Sequence, residues 1–466
     1  MKLKPPGKRV IRSLAVTGVA LGSVAGLVLS QTPALADPGV TYVMAGSDTI
    51  QDVMNAFAGS LGTNEIGSEN ATNPSTNAIG DPVTISKTGI SDLTNTVPAS
   101  VCYFTRPDGS TQGAGALRQS MASLPNSGAT STTYTTPAGE SISLTGTNAS
   151  GTTDTVTGDL PSVAPGPGCI DIARSSSTPP TADVEPTSGL LQYIPFALDA
   201  VTVAIGSTAS TIGHPASTNE SGTEPTPATN LLSSTGVAPD FTLAQLEAMY
   251  DNATPETAAN NGVTYAPRTP GGTIPAGDTA IDLYIPQAGS GTLSFFAGKL
   301  GFSATTPPAW DYQTIQSDGG QTVSDWVNQQ VEEHDGTDVT VDPNGLTPFS
   351  IAQYIAQKNG HNPRFHQAVL LDIGGVSPTN GTALNTTFPL IREVYLVIPY
   401  DKAVNGSDGN YDPNLASLMV SGSSTLCHDS ILIGQYGFGL LSSSPLGHTC
   451  GAIDTTNLRA FDAAQF

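Results

Sequence analysis

Four short loops rich in Gly, Ser and Thr constrain this chain more than any other feature. They are Ala45-Gly46-Ser47-Asp48-Thr49, Gly109-Ser110-Thr111-Gln112-Gly113, Ala173-Arg174-Ser175-Ser176-Ser177 and Gly289-Ser290-Gly291-Thr292. Each follows an apolar run that reads as a strand, at 40–44, 101–104, 281–285 and the shorter 170–172, and each opens what reads as a helix. Strand, small-residue loop and helix in repetition point to an α/β fold. The same unit builds anion sites, because small residues let the backbone approach a ligand, while first-turn N–H groups and the helix dipole supply positive potential without a lysine. One such loop would mean little, since Ser and Thr cap ordinary helices and Gly makes ordinary turns. Four of them in a lysine-poor chain ask for one cause.

The N-terminus predicts the compartment. Met1 to Arg12 carries five basic residues and no acid, an apolar run follows that is too short to span a bilayer comfortably, and Pro33-Ala34-Leu35-Ala36 offers a small-residue cleavage site. Residues 1–36 therefore read as a secretory signal peptide, ahead of the alternative of a retained anchor. No cysteine follows the apolar run to carry a lipid, and no later segment has the length and apolarity of a membrane span. Removing five of the 16 basic residues leaves 11 against 39 acidic ones, a formal charge of −28 for a mature chain that is expected to be secreted. A chain so acidic is not expected to bind nucleic acid through a basic surface. In an exported chain the four cysteines are expected in disulfides. Three pairings are open, of which Cys102–Cys169 with Cys427–Cys450 is favoured because each bond then lies within one region of the chain. No Cys-x-x-Cys spacing supports a zinc site instead.

A mature chain of 430 residues exceeds one comfortable core, so two lobes are expected. Helices are predicted at 49–57, with Ile50, Val53, Met54 and Phe57 on one face, and at 115–123, 242–250, 294–300, 322–333 and 351–358. Strands are predicted near 82–86 and 101–104. Residues 120–167 and 207–234 are almost entirely small and polar and read as surface loops. Two apolar stretches, 193–205 and 388–398, are long for single strands and each has an early proline. They read as crossings by which the chain leaves one lobe and returns to it, and ligands in such folds bind in the crevice at strand carboxyl ends.

With these residues in view, the chain resembles the PstS-type phosphate-binding receptors of the type II periplasmic-binding-protein superfamily, from Val43 to about Tyr400. Ala45-Gly46-Ser47-Asp48-Thr49 is similar to that family's first ligand loop, Gly109-Ser110-Thr111-Gln112-Gly113 to its second and Ile172-Ala173-Arg174-Ser175-Ser176 to its third. Tyr193-Ile194-Pro195-Phe196-Ala197-Leu198-Asp199 resembles its crossover strand, Gly289-Ser290-Gly291-Thr292 its most specific motif, and Phe388-Pro389-Leu390-Ile391-Arg392 its return crossing. The resemblance implies a two-lobed α/β receptor: lobe 1 at 37–199, lobe 2 at 200–388 and a return to lobe 1 at 389–466, with a hinge of two crossover strands. It implies capture of phosphate or a related small oxyanion by Ser47, Asp48, Thr49, Ser110, Thr111, Arg174, Ser175, Ser176, Gly289, Ser290, Gly291 and Thr292. A monomer without cofactor or metal, delivering its ligand to a membrane ABC importer, is the implied setting.

Two departures stand out. The family carries an arginine and an aspartate just ahead of Gly-Ser-Gly-Thr, where this chain has Pro286, Gln287 and Ala288. It carries Ser or Thr where Asp48 stands. Asp48 is then expected to accept a proton of the bound anion and Arg174 to supply the missing positive charge. Other chemistry-bearing clusters carry less. Glu332-Glu333-His334-Asp335-Gly336 reads as a helix end with a glycine cap rather than a metal cluster, with Asp335 near the cleft. His361 and His366 have the wrong spacing for one helical face and read as surface loop. Cys427-His428-Asp429-Ser430 holds triad residue types, but as sequence neighbours. With no Gly-x-Ser-x-Gly and no Gly-x-x-x-x-Gly-Lys-Ser/Thr, an enzyme is not expected. An envelope-interaction protein that reuses the fold is the second expectation, and a phosphoesterase the third.

Overall fold

Alternate residues of the first strand point to opposite sides, and both sides are apolar, so the strand must lie in the middle of a layered structure. The computed structural model describes residues 40–71, 82–87, 91–92, 95–96, 100–121, 129–132, 144–147, 153–156, 168–206, 231–251, 255–316, 329–366, 368–443 and 446–460. The elements that position the site are β1 (Tyr42–Gly46), α1 (Gln51–Leu61), β2 (Ile66–Ser68), α2 (Ser110–Met121), β3 (Ile172–Ser175), β4 (Leu191–Ile205), α3 (Leu243–Tyr250), β5 (Ala258–Asn260), β6 (Val263–Pro267), β7 (Thr279–Tyr284), α4 (Gly291–Leu300), α5 (Thr337–Val341), β8 (Gly345–Ser350), α6 (Ile351–Lys358) and β9 (Ile391–Pro399). One mixed sheet runs β5-β6-β7-β8-β4-β9-β3-β1-β2.

The architecture is a two-lobed α/β fold joined through β4 and β9. The first ten residues of β4 pair antiparallel with β9, from Leu191↔Pro399 to Ala200↔Ile391, and the next four pair with β8, from Val201↔Ser350 to Ala204↔Thr347. One fully buried 15-residue strand thus belongs to both lobes. A bulge shifts the register between Pro195 and Ala197, where proline has no N–H to give the ladder.

Alternation then sorts the cores. Tyr42 and Met44 of β1, with Val394, Leu396 and Ile398 of β9, pack against Ile50, Val53, Met54 and Phe57 of the first helical segment. Val43, Ala45, Tyr395 and Val397 face the other way, onto Ala114, Leu117 and Met121 of α2. The second lobe has its own core, in which Val201, Val203, Ile281 and Leu283 meet Leu246, Met249, Leu293 and Phe296. Helix α3 starts where its sequence says: Thr242 Oγ1 accepts from Gln245 N, and Gln245 Oε1 accepts from Thr242 N, a complete capping box. Cys102 is bonded to Cys169 and Cys427 to Cys450. Among the described residues no helix is long and apolar enough to cross a membrane.

Several expectations change. The third loop does not open a helix: after β3 come Pro179 and Pro180 and a three-residue turn at Thr181–Asp183, because consecutive prolines cannot donate to a helical ladder. Helix α2 begins at Ser110, five residues before the predicted start, and the return strand begins at Ile391. Part of the stretch 120–167 is ordered into strands Ala129–Thr132, Leu144–Thr147 and Thr153–Val156, which form an antiparallel sheet. The helix expected at 322–333 falls largely outside the described residues. Its described end is extended, with Val331 N donating to Gln313 O and Ile315 N to Gln329 O, both at 2.9–3.0 Å. Glu332–Gly336 is consequently a turn leading into α5 and not a capped helix end. Residues 1–36, read as a signal peptide, and 207–230, read as a surface loop, lie outside the described residues.

Candidate functional site

The first, second and fourth loops carry glycines where backbones meet. Gly46 closes β1 at φ +108°, and a Cβ on it would lie 2.8 Å from the Cα of Gly113 in α2 and 2.9 Å from Arg174 O. Gly109, at φ +102°, faces the other lobe: its Cβ would lie 2.5 Å from Gly289 O. Thr111 Oγ1 donates to that same carbonyl at 2.8 Å. The second and fourth loops, from opposite lobes, are therefore in direct contact.

Hydroxyls converge around Ser176. Its Oγ lies 3.3 Å from Ser47 Oγ, 3.2 Å from Thr49 Oγ1 and 3.2 Å from Ser110 Oγ, and its N–H donates to Ser110 Oγ at 2.8 Å. Gly291 presses against this cluster, where a side chain would collide with the hydroxyls of Ser110 and Ser176. Ser290 caps α4 by accepting from Thr292 N and Leu293 N. Ser175 turns away and donates to Ser177 O at 2.7 Å.

The group these hydroxyls hold is a carboxylate that the sequence reading passed over. Glu333 is fully buried; its Oε1 accepts from Thr49 Oγ1 at 2.5 Å and Thr292 Oγ1 at 2.8 Å, and its Oε2 from Ser290 Oγ at 3.2 Å. First-lobe and second-lobe loops thus grip one planar carboxyl group from two sides. Ser350 N at the end of β8 donates to Glu333 O, and Gln353 Nε2 on α6 donates to Thr49 O, which ties both partners to the second lobe.

The surroundings are acidic. Asp48 Oδ2 lies 2.9 Å from His334 Nδ1, and its Oδ1 accepts from Thr49 N at 2.9 Å. Burial works against ionisation of Asp48, but the partnership with His334 and hydrogen bonds involving Glu332 and Glu333 outweigh it and hold the carboxyl below the usual range. The others move the opposite way. Glu333 is pushed up to about 7, first by burial and then by the charge of Asp48. Asp108 and Glu332 are raised well above the carboxylate range, each first by burial, then Asp108 by the charges of Asp48 and Glu333 and Glu332 by those of Asp108, Asp48 and Glu333. Asp48, Glu332 and His334 bring one donor atom each within 4.8 Å of one another, a set that would suit a divalent cation. Asp335 instead lies just ahead of α5, accepting from Thr337 N at 2.9 Å, and is 3.3 Å from His366 Nε2.

Arg174 does not point at the hydroxyls. Its Nε donates to Ser47 O at 3.1 Å, its Nη2 to Gly46 O and Glu69 O at 2.7 and 2.6 Å, and its Nη1 to Ser68 Oγ at 3.0 Å. It clamps the first loop from beneath. The arginine that does lie between the lobes is Arg392 on β9, whose Nε and Nη2 donate to Asp199 Oδ2 at 3.1 and 2.7 Å. Its charge opposes the upward shift of Glu333. The sequence alone reads Glu333 and His334 as a helix end and Arg392 as part of the return crossing, and gives Asp108 no role. The one available signal was the unusual run Glu332-Glu333-His334-Asp335 in a chain with few charges.

No family model matches the chain, and no curated protein matches it. Among solved structures it is similar to an ABC-type phosphate transport receptor from Vibrio cholerae, at 12% identity and a TM-score of 0.40, over 86% of this chain and 99% of that one. It is also similar to PstS from Borrelia burgdorferi, at 10% identity and a TM-score of 0.32, over 86% of this chain and 98% of that one.

Proposed function

We propose that the chain is a secreted solute-binding protein that captures a small oxyanion, phosphate foremost, between its lobes. The observation that carries this is the three-hydroxyl grip on Glu333: Thr49 from one lobe and Ser290 and Thr292 from the other converge on the two oxygens of one carboxyl group at the meeting point of the loops. An incoming anion takes over these donors together with the Ser47, Ser110 and Ser176 hydroxyls, while a nearby carboxylate accepts the proton of a monobasic or dibasic phosphate. Contacts to both lobes exist only when the cleft is shut, so binding drives closure about β4 and β9. The lobes divide at 37–199, 200–388 and 389–466. The protein works as a monomer and without catalysis, and a membrane importer receives its ligand.

A thermal melt with millimolar phosphate, against sulfate and chloride at matched ionic strength, tests this. At a thousandfold excess over the dissociation constant, phosphate adds about 4 kcal/mol of stability and raises the melting temperature. Equal melting temperatures in all three anions overturn the proposal.

A further inference from the structure

Beside the hydroxyl loops lies a cavity of about 510 Å³, bounded by Thr111 and Ser176 at its inner end. A four-oxygen anion fills little of that space, which falls in the ~300–1,000 Å³ range of sites for organic molecules. Resting on the oxyanion reading above, we propose that the ligand is a phosphate monoester with an apolar, preferably aromatic, body, and that Arg392 is the buried cation that receives its phosphoryl group.

Arg392 lines the cavity and is 2% exposed. Asp199 occupies its Nε and Nη2, but Nη1 has no hydrogen-bond partner among the described residues. A buried cationic donor left unpaired is costly, and a phosphoryl oxygen entering the cavity pairs it. Arg174, turned beneath the first loop and bonded to Ser47 O, Gly46 O and Glu69 O, does not deliver that charge. The walls suit an apolar body. Phe295 of α4 lies against Arg392, ring centroid to Cζ 5.6 Å, and Tyr193 and Tyr395, an edge-to-face pair with ring centroids 6.1 Å apart, also line the cavity. At the mouth the exposed Lys299 places its Nζ 5.5 Å from the same Phe295 ring. The cavity's carboxylate, Glu393, is engaged by Tyr395 OH at 3.1 Å and His448 Nδ1 at 2.7 Å.

Calorimetric titration of the purified protein with phenyl phosphate, inorganic phosphate and benzoate at one ionic strength decides the matter. Phenyl phosphate binds at least tenfold tighter than inorganic phosphate and than benzoate. Arg392→Lys weakens phenyl phosphate by tenfold or more. Phe295→Ala, on a partly exposed ring, weakens phenyl phosphate about tenfold more than it weakens inorganic phosphate. Inorganic phosphate binding as tightly as phenyl phosphate overturns the ester while leaving an oxyanion receptor standing. Benzoate equal to phenyl phosphate overturns the phosphoryl specificity, and no binding by any of the three overturns both proposals.

Discussion

Replacing Asp199 with alanine should be among the most damaging single changes in the molecule. The carboxylate is fully buried where β4 passes from one lobe to the other, and it accepts from Arg392 Nε and Nη2, from Ser350 Oγ at 3.0 Å and from Ala352 N at 3.0 Å. Its removal leaves the Arg392 guanidinium buried without a counter-charge, which by itself costs about 3–5 kcal/mol. Ser350 Oγ and Ala352 N also lose an acceptor at the start of α6, so the upper end of about 5 kcal/mol is expected. Asp199→Asn keeps oxygen for Ser350 and Ala352 but loses the charge, and should cost about half as much. The double variant Asp199→Ala with Arg392→Met removes both charges and should be more stable than Asp199→Ala alone, because the unpaired guanidinium is gone. Urea unfolding followed by circular dichroism measures all three. A loss below about 1 kcal/mol for Asp199→Ala, or a double variant no more stable than that single, would show that the pair does not stabilise the crossing in the way the structure implies.

Other consequences are simpler. Cys102→Ser opens a loop closed over a sequence separation of 67 and Cys427→Ser one of 23, so chain entropy predicts losses of about 4 and about 3 kcal/mol, readable as the order of their urea midpoints. Gly109→Ala puts a methyl into Gly289 O at a positive φ; about 1–3 kcal/mol of strain is expected, with weakened phosphate binding in the melt assay because the second and fourth loops are forced apart. For His448, burial opposes the charged ring, yet the hydrogen bond and charge of Glu393, then those of Asp454, outweigh it and raise its pKa. A raised folded-state pKa stabilises below the unfolded value of about 6.5 and ceases to do so as pH rises through the folded value. His448→Ala should therefore melt below the parent at about pH 5 and together with it at about pH 9, and equal deficits at both would refute the assignment.

Much of the architecture is legible in short-range patterns. The long apolar stretches at 193–205 and 388–398 become β4 and β9, since a strand buried on both faces has no polar alternation to interrupt it. The facing set Ile50, Val53, Met54 and Phe57 is buried as its helical spacing requires. Errors gathered where polar sequence is ordered by distant partners. The acidic run at 332–335 looks like a helix end, and becomes a turn because Ser350 N donates to Glu333 O and Gln313 O takes the N–H of Val331 just ahead of it.

The sequence by itself determined the alternation of strand and helix, the glycines at which backbones approach, and the hydroxyl-bearing loops, because propensity, capping and period depend on residues a few positions apart. Only the tertiary structure decided what those loops hold. Thr49 and Glu333 are 284 residues apart, and Asp199 and Arg392 are 193 apart. Which carboxylate meets which hydroxyl, and which of two arginines faces the cleft, depends on how the lobes pack across β4 and β9. No local spacing encodes that choice, because desolvation and charge pairing act through space and not along the chain.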